Sequence, residues 1–104
     1  MIRVSYNRKE TIMTIKGHAG AAPAGQDLVC AGASTLGFTL IAALMDSKEK
    51  FMPNISQQSG DLRIACRPGK SHVTPCRRVM DTIFTGYEIL ANDYPDFVIA
   101  KRED

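Results

Sequence analysis

Two residues in the first third of the chain could do chemistry together. His18 is one of two histidines, and Cys30 is one of three cysteines. A thiolate attacks carbonyl carbon, but an ordinary cysteine is mostly protonated at neutral pH. A helix N-terminus favours the anion through its free N–H groups and dipole, and a nearby imidazolium does so more strongly. Cys30 stands at the start of a long helical run, and His18 follows Gly17 at the end of a strand pattern. The chemistry this spacing suggests is nucleophilic attack by Cys30, with His18 taking the thiol proton and later protonating a leaving amine. Amides at the helix start would hold the oxyanion.

Two further residues belong with them. Asp27 is a good N-cap, because its carboxylate can accept the N–H of the third helical residue, which is Cys30. A carboxylate facing the sulfur would oppose thiolate formation, so Asp27 helps only by capping the helix or by facing His18. Ser34 lies one turn after Cys30 on the same helical face. It can bond the preceding loop or the Cys30 carbonyl. Bland readings stand beside these. A lone cysteine in an apolar helix is usually a core residue, and a histidine among glycines can be plain surface. Cys66 and Cys76 fit core positions in a strand and a helix, and His72 reads as exposed. Arg63, Arg67, Arg77 and Arg78 could form a basic patch.

The elements that must position these groups follow from periodicity. Ile2, Val4 and Tyr6 alternate with Arg3 and Ser5, which marks a half-buried strand. After the turn at Asn7-Arg8-Lys9, residues 10–16 form a second strand rich in β-branched side chains. Residues 17–26 hold three Gly, four Ala and one Pro. A long loop in a small domain tends to be functional or disordered. This one, with Gly17, Gly20 and Gly25, reads as an undemanding wall along which a substrate peptide backbone could lie. A helix runs from Leu28 to about Met45 or Lys48. Its small residues Ala31, Gly32, Ala33, Ser34 and Gly37 invite close packing, and a second copy of the chain could cover its spare apolar face. Pro53 stops it. Residues 54–58 and 61–67 flank the turn Ser59-Gly60-Asp61. Thr74-Pro75 opens a helix to about residue 92, with Cys76, Val79, Met80, Ile83, Tyr87 and Leu90 on one stripe. Phe97 to Ala100 is a last strand. The order ββαββαβ predicts a single α+β domain over 1–104, one mostly antiparallel sheet with two helices packed on it.

Composition narrows the function classes. The chain has 104 residues, 44% hydrophobic and 23% charged, with a formal net charge of +2. That is a globular balance, too mildly basic for a dedicated nucleic-acid binder. An odd cysteine count without a CxxC spacing excludes a full disulfide framework and disfavours structural zinc. Reduced thiols and the absence of a signal-peptide pattern predict a cytoplasmic protein. Residues 28–45 carry no charge and reach the length of a membrane span. Yet ten of the eighteen are Ala, Gly, Ser, Thr or Cys, and acidic residues flank the run. A soluble helix buried on most sides is therefore expected, with no membrane partner.

Gly17-His18-Ala19-Gly20, followed by Gly25-Gln26-Asp27-Leu28-Val29-Cys30-Ala31, resembles the ribosomal-processing cysteine protease family of bacteria. The resemblance extends over the opening strands, the Gly60-Asp61-Leu62 hairpin and Tyr94-Pro95-Asp96-Phe97-Val98. It implies a cysteine endopeptidase that removes the N-terminal extension of a large-subunit ribosomal protein. It further implies His18 and Cys30 as the catalytic dyad, Asp27 and Ser34 in support, a homodimer, and a loop that orders over the substrate. Where relatives often carry bulky or acidic loop residues, this chain has Ala21, Ala22, Pro23 and Ala24. No metal or organic cofactor is expected, and nucleic acid is not required. The rival readings are a non-catalytic ribosome-associated RNA-binding protein and a redox-sensing thiol protein.

Overall fold

A computed structural model describes residues 1–23 and 25–104. Its elements are β1 (Ile2–Asn7), β2 (Ile12–Lys16), α1 (Leu28–Asp46), α2 (Lys48–Phe51), β3 (Pro53–Gln58), β4 (Asp61–Cys66), α3 (Val73–Asp93) and β5 (Val98–Arg102). The five strands form one open sheet in the order β3-β4-β2-β1-β5. Three of its four neighbour pairs are antiparallel, and β1–β5 is parallel. This is the α+β architecture expected from the order of elements, with α2 added after the first long helix.

Alternation decides which face of the sheet is covered. Ile2, Val4 and Tyr6 of β1, Met13 of β2, Ile64 and Cys66 of β4 and Val98 of β5 are buried. Cross-strand register sets Tyr6 beside Met13, and Met13 beside Ile64, on that same face. The rings of Tyr6 and Phe84 lie 5.3 Å apart and tie β1 to α3. Tyr6 is fully buried, and its hydroxyl donates to Asp81 Oδ1 at 2.7 Å. Arg8 Nε bonds both oxygens of that carboxylate at 3.0 Å. Burial and the Asp81 carboxylate hold the Tyr6 phenol well above its ordinary range.

Small residues set how deeply α1 seats. A methyl group on Gly37 would come 3.0 Å from Leu62 Cδ2 and 3.1 Å from the Tyr87 hydroxyl. One on Gly86 of α3 would meet Leu36 Cδ2 at 2.6 Å. The buried Tyr87 hydroxyl donates to the Ala33 carbonyl at 2.7 Å, joining α3 to α1. The Leu62 and Tyr87 contacts explain why the apolar helix carries glycine at 37, which forgoes roughly 1 kcal/mol of helix propensity.

The inner side of α1 buries Val29, Ala33, Gly37, Leu40 and Leu44. Its outer side stays exposed, with Leu28 at 80%, Phe38 at 51% and Met45 at 44%. The expectation of a helix buried on most sides is therefore met on one side only. By length and composition α1 could cross a membrane, but its buried stripe is already occupied by α3 and the sheet.

Element boundaries differ from expectation in places. Glu10 and Thr11 belong to the first turn. Thr11 takes φ +55°, and its hydroxyl bonds the Glu10 and Cys66 carbonyls. The first helix ends at Asp46, and Ser47 caps both it and α2. Met52, at φ +47°, then turns the chain into β3. α3 starts at Val73 after a 3-10 turn at Lys70–His72. Pro75 thus lies in its first turn, where a missing N–H is harmless.

Candidate active site

Asp27 explains where α1 begins and what stands there. Its Oδ1 accepts the Cys30 amide at 2.9 Å, and its Oδ2 accepts the Ala21 amide at 3.0 Å. One carboxylate therefore caps the helix and fastens the start of the loop to it. The Cys30 amide above all, with further loop and helix N–H groups, holds the Asp27 carboxyl below its ordinary range. Of the two roles left open by the sequence, Asp27 takes the capping one. The Ala31 amide bonds the Asp27 carbonyl at 3.0 Å. The Cys30 and Ala31 amides are thus already engaged, so the oxyanion contact expected at the helix start falls to other N–H groups there.

His18 is held by backbone on both sides. The Gly17 amide bonds the Gly60 carbonyl at 2.8 Å, and the Met1 ammonium bonds the His18 carbonyl. Ala19, next in sequence, is buried in the core. The His18 ring itself remains exposed. Gly17 takes φ +95°, and a Cβ there would overlap the Met1 carbonyl oxygen, so only glycine fits. The rest of the loop bends through Gly20 and Gly25, both at positive φ, and the Gln26 amide bonds the Pro23 carbonyl at 3.0 Å. Of the expected substrate loop 17–26, residue 24 lies outside the described residues.

Two hollows meet at the candidate residues. One, of about 220 Å³, is lined by His18, Cys30 and Ser34, by the apolar side chains of Ile2, Ile15, Phe38 and Leu62, and by the β3–β4 turn. The other, of about 480 Å³, runs under the loop past Gly20, Ala22, Gly25 and Asp27. His18, Cys30 and Ser34 line both. Cys30 is half-buried and Ser34 is exposed. Among the described residues, the Ser34 hydroxyl bonds neither the loop nor the Cys30 carbonyl, unlike Thr35 and Thr39, which back-bond one turn down the helix. Gly17, Gly20 and Gly25 all border these hollows.

Residues of lesser promise are placed elsewhere. Cys66 and Cys76 are buried together; a hydrogen bond between the thiols, reinforced by burial, pushes Cys66 up. Three of the four arginines have separate surroundings. Arg77 donates to the carbonyls of Arg8 and Lys9 and so anchors the β1–β2 turn. Arg63 and Arg67 border a separate groove beside Met45 and Met52. No group of residues suited to hold a metal ion occurs among the described residues.

Sequence reasoning missed one wall of the cleft, Gln57 to Leu62, and it missed Phe38. The turn at Gly60 was visible, but its neighbour was not. Lys16 at the end of β2 pairs with Asp61 at the start of β4, which brings Gly17 and His18 to the same sheet end as Gly60.

A cysteine and a histidine line the junction of two hollows on an α+β scaffold, residue types suited to thiol hydrolysis. The family model of the cysteine protease Prp matches residues 1–99, and the chain belongs to that family. It is a cysteine protease. No curated protein matches it. Among solved structures it is similar to the essential ribosomal processing protease Prp of S. aureus in complex with a covalently linked product peptide. The identity is 20%, the TM-score 0.80, and the match covers 98% of this chain and 97% of that one. The same S. aureus protein with a substrate peptide gives 19% identity and a TM-score of 0.73 over 98% and 97% of the two chains. The protein SMU.848 of Streptococcus mutans gives 23% and 0.69 over 97% and 90%. At these identities the structures speak for the fold.

Proposed function

We propose that this protease is an endopeptidase that removes the N-terminal extension of a large-subunit ribosomal protein, using Cys30 as nucleophile and His18 as proton carrier. The observation that carries the reading is that both residues line each of two adjoining hollows in a chain of the Prp family. An extended peptide crossing the site would place residues on one side of its scissile bond in the apolar hollow. Those on the other side would lie under the loop. The Cys30 sulfur attacks the scissile carbonyl carbon while His18 takes the thiol proton. His18 then gives that proton to the leaving amine, and a thioester remains on Cys30. Water, deprotonated by His18, attacks the thioester; the carboxylic acid product leaves and the thiol is restored. Asp27 fixes the helix start that carries Cys30, and Ser34 faces the substrate. No step needs a metal, an organic cofactor or nucleic acid. The free thiols suit the reducing cytoplasm, where we place the activity.

We further infer a homodimer. Leu28, Ala31, Thr35, Phe38, Ala42 and Met45 recur at alternating three- and four-residue steps on the exposed side of α1. That is the seam spacing of paired helices. Within it, the Thr35 hydroxyl is already bonded to the Ala31 carbonyl at 2.8 Å, so burying it leaves no unsatisfied donor. The test of function is cleavage of an N-terminally extended large-subunit ribosomal protein by the unmodified chain, Cys30→Ala and His18→Ala. The first should release the extension and the variants should not. Retained cleavage by either variant sinks the dyad.

A further inference from the structure

We propose that Gly60, in the β3–β4 turn, is a positioning residue for His18: its bare α-carbon is the surface on which the imidazole rests. The inference builds on the dyad reading above and extends it to a residue with no reactive group. A Cβ on Gly60 would stand 2.6 Å from His18 Nε2, 3.2 Å from Cδ2 and 3.3 Å from Cε1. The ring therefore meets the turn with Nε2 foremost and its two neighbouring carbons nearly equidistant. No real Cβ fits there unless the ring moves. The Gly60 carbonyl also accepts the Gly17 amide at 2.8 Å, so the turn that supports the ring is clamped to the residue before it. The ring tip is the movable partner in this contact. A side chain at 60 would thus be accommodated mainly by swinging His18 rather than by unfolding the turn. Gly20, at the nearly identical φ of +68°, has open space where its Cβ would be, so the left-handed backbone alone does not create this contact.

Gly60 takes φ +69°, which Asn tolerates better than other side chains. Gly60→Asn therefore brings in the obstructing Cβ with the least backbone strain. The experiment compares the unmodified chain, Gly60→Asn, His18→Ala and the double variant. It reads the pH profile of Cys30 alkylation by iodoacetamide, and kcat and KM on the extended ribosomal protein. Gly60→Asn should move the alkylation profile toward that of His18→Ala. It should lower kcat by about 10²-fold, the scale of misplacing a catalytic group by about 1 Å, with KM little changed. In the His18→Ala background the same substitution should alter nothing further. A folded Gly60→Asn with unchanged profile and kcat overturns the proposal, as does a shift that persists without His18. Full cleavage by His18→Ala would defeat the dyad reading itself and is separate from either result. A measurement on the unmodified chain stands even where a variant fails to fold: NMR cross-relaxation between the His18 ring protons Hδ2 and Hε1 and the Gly60 α-protons. Its absence overturns the placement.

Discussion

Gly37→Ala, measured with and without Tyr87→Phe, tests what seats α1 and hence what holds Cys30 in place. A methyl group at 37 would gain about 1 kcal/mol of helix propensity. It would also stand 3.1 Å from the Tyr87 hydroxyl and 3.0 Å from Leu62 Cδ2. That hydroxyl cannot retreat freely, because it is bonded to the Ala33 carbonyl at 2.7 Å. Crowding of this kind costs about 1–3 kcal/mol, and a lost hydrogen bond about 0.5–1.5 kcal/mol. The net expectation is a destabilisation of about 2 kcal/mol, read as a lowered midpoint in urea. Tyr87→Phe alone should cost about 1 kcal/mol for the same hydrogen bond. In that background the hydroxyl is gone and only the flexible Leu62 tip obstructs the methyl. Gly37→Ala should then be nearly neutral, giving a coupling of about 1 kcal/mol or more between the sites. Additivity within about 0.3 kcal/mol would refute the packing argument. Leu62 also lines the hollow that His18 and Cys30 share, so on the proposed dyad Gly37→Ala should lower protease activity in the folded fraction as well.

Further outcomes are expected. Asp27→Ala should weaken activity and raise amide exchange at Cys30 and Ala21, since it removes the cap and the loop anchor together. Acid should do the same. The Asp27 carboxyl is depressed in the fold, so its contribution is complete above the ordinary value of 3.8 and vanishes as pH falls through the lower folded value; an amide NMR titration reads it. Burial raises the Tyr87 phenol, so stability present below about pH 10 should be lost as pH climbs beyond it, with tyrosinate absorbance rising together with unfolding. Asp81→Ala leaves the buried Tyr6 hydroxyl without its acceptor and should cost about 2 kcal/mol in denaturant, while Ala42→Glu should prevent the proposed dimer, so that light scattering reads a dimer mass for the unmodified chain and a monomer mass for the variant.

The local pattern carried most of the architecture. Strand alternation in Ile2-Val4-Tyr6 and the stripe from Cys76 to Leu90 each reflect burial on one face, and burial is what periodicity records. Asp27 was readable as a cap because capping depends on residues three apart. The candidate site was legible as far as it is local, in the spacing of His18 and Cys30. What escaped was non-local. Nothing near Gly60 announces that β4 pairs with β2, so the wall opposite Cys30 was hidden. The short helix α2 escaped because Ser47 ends one helix and starts another within a stretch that reads as a single helix running up to Pro53. The engagement of the Cys30 and Ala31 amides also needed coordinates, since one aspartate can satisfy donors from both a helix and a loop.

The parallel pairing of β1 with β5 has a consequence for synthesis. Residues 2–6 align with residues 98–102, the widest sequence separation in the sheet. A nascent chain emerging N-terminus first carries β1 with one flank vacant until nearly a hundred residues have followed. Closing so long a span is slow, and an unmatched strand edge invites adhesion to other chains. Proteolytic or translational truncation ahead of Val98 should therefore yield aggregates instead of a smaller working enzyme.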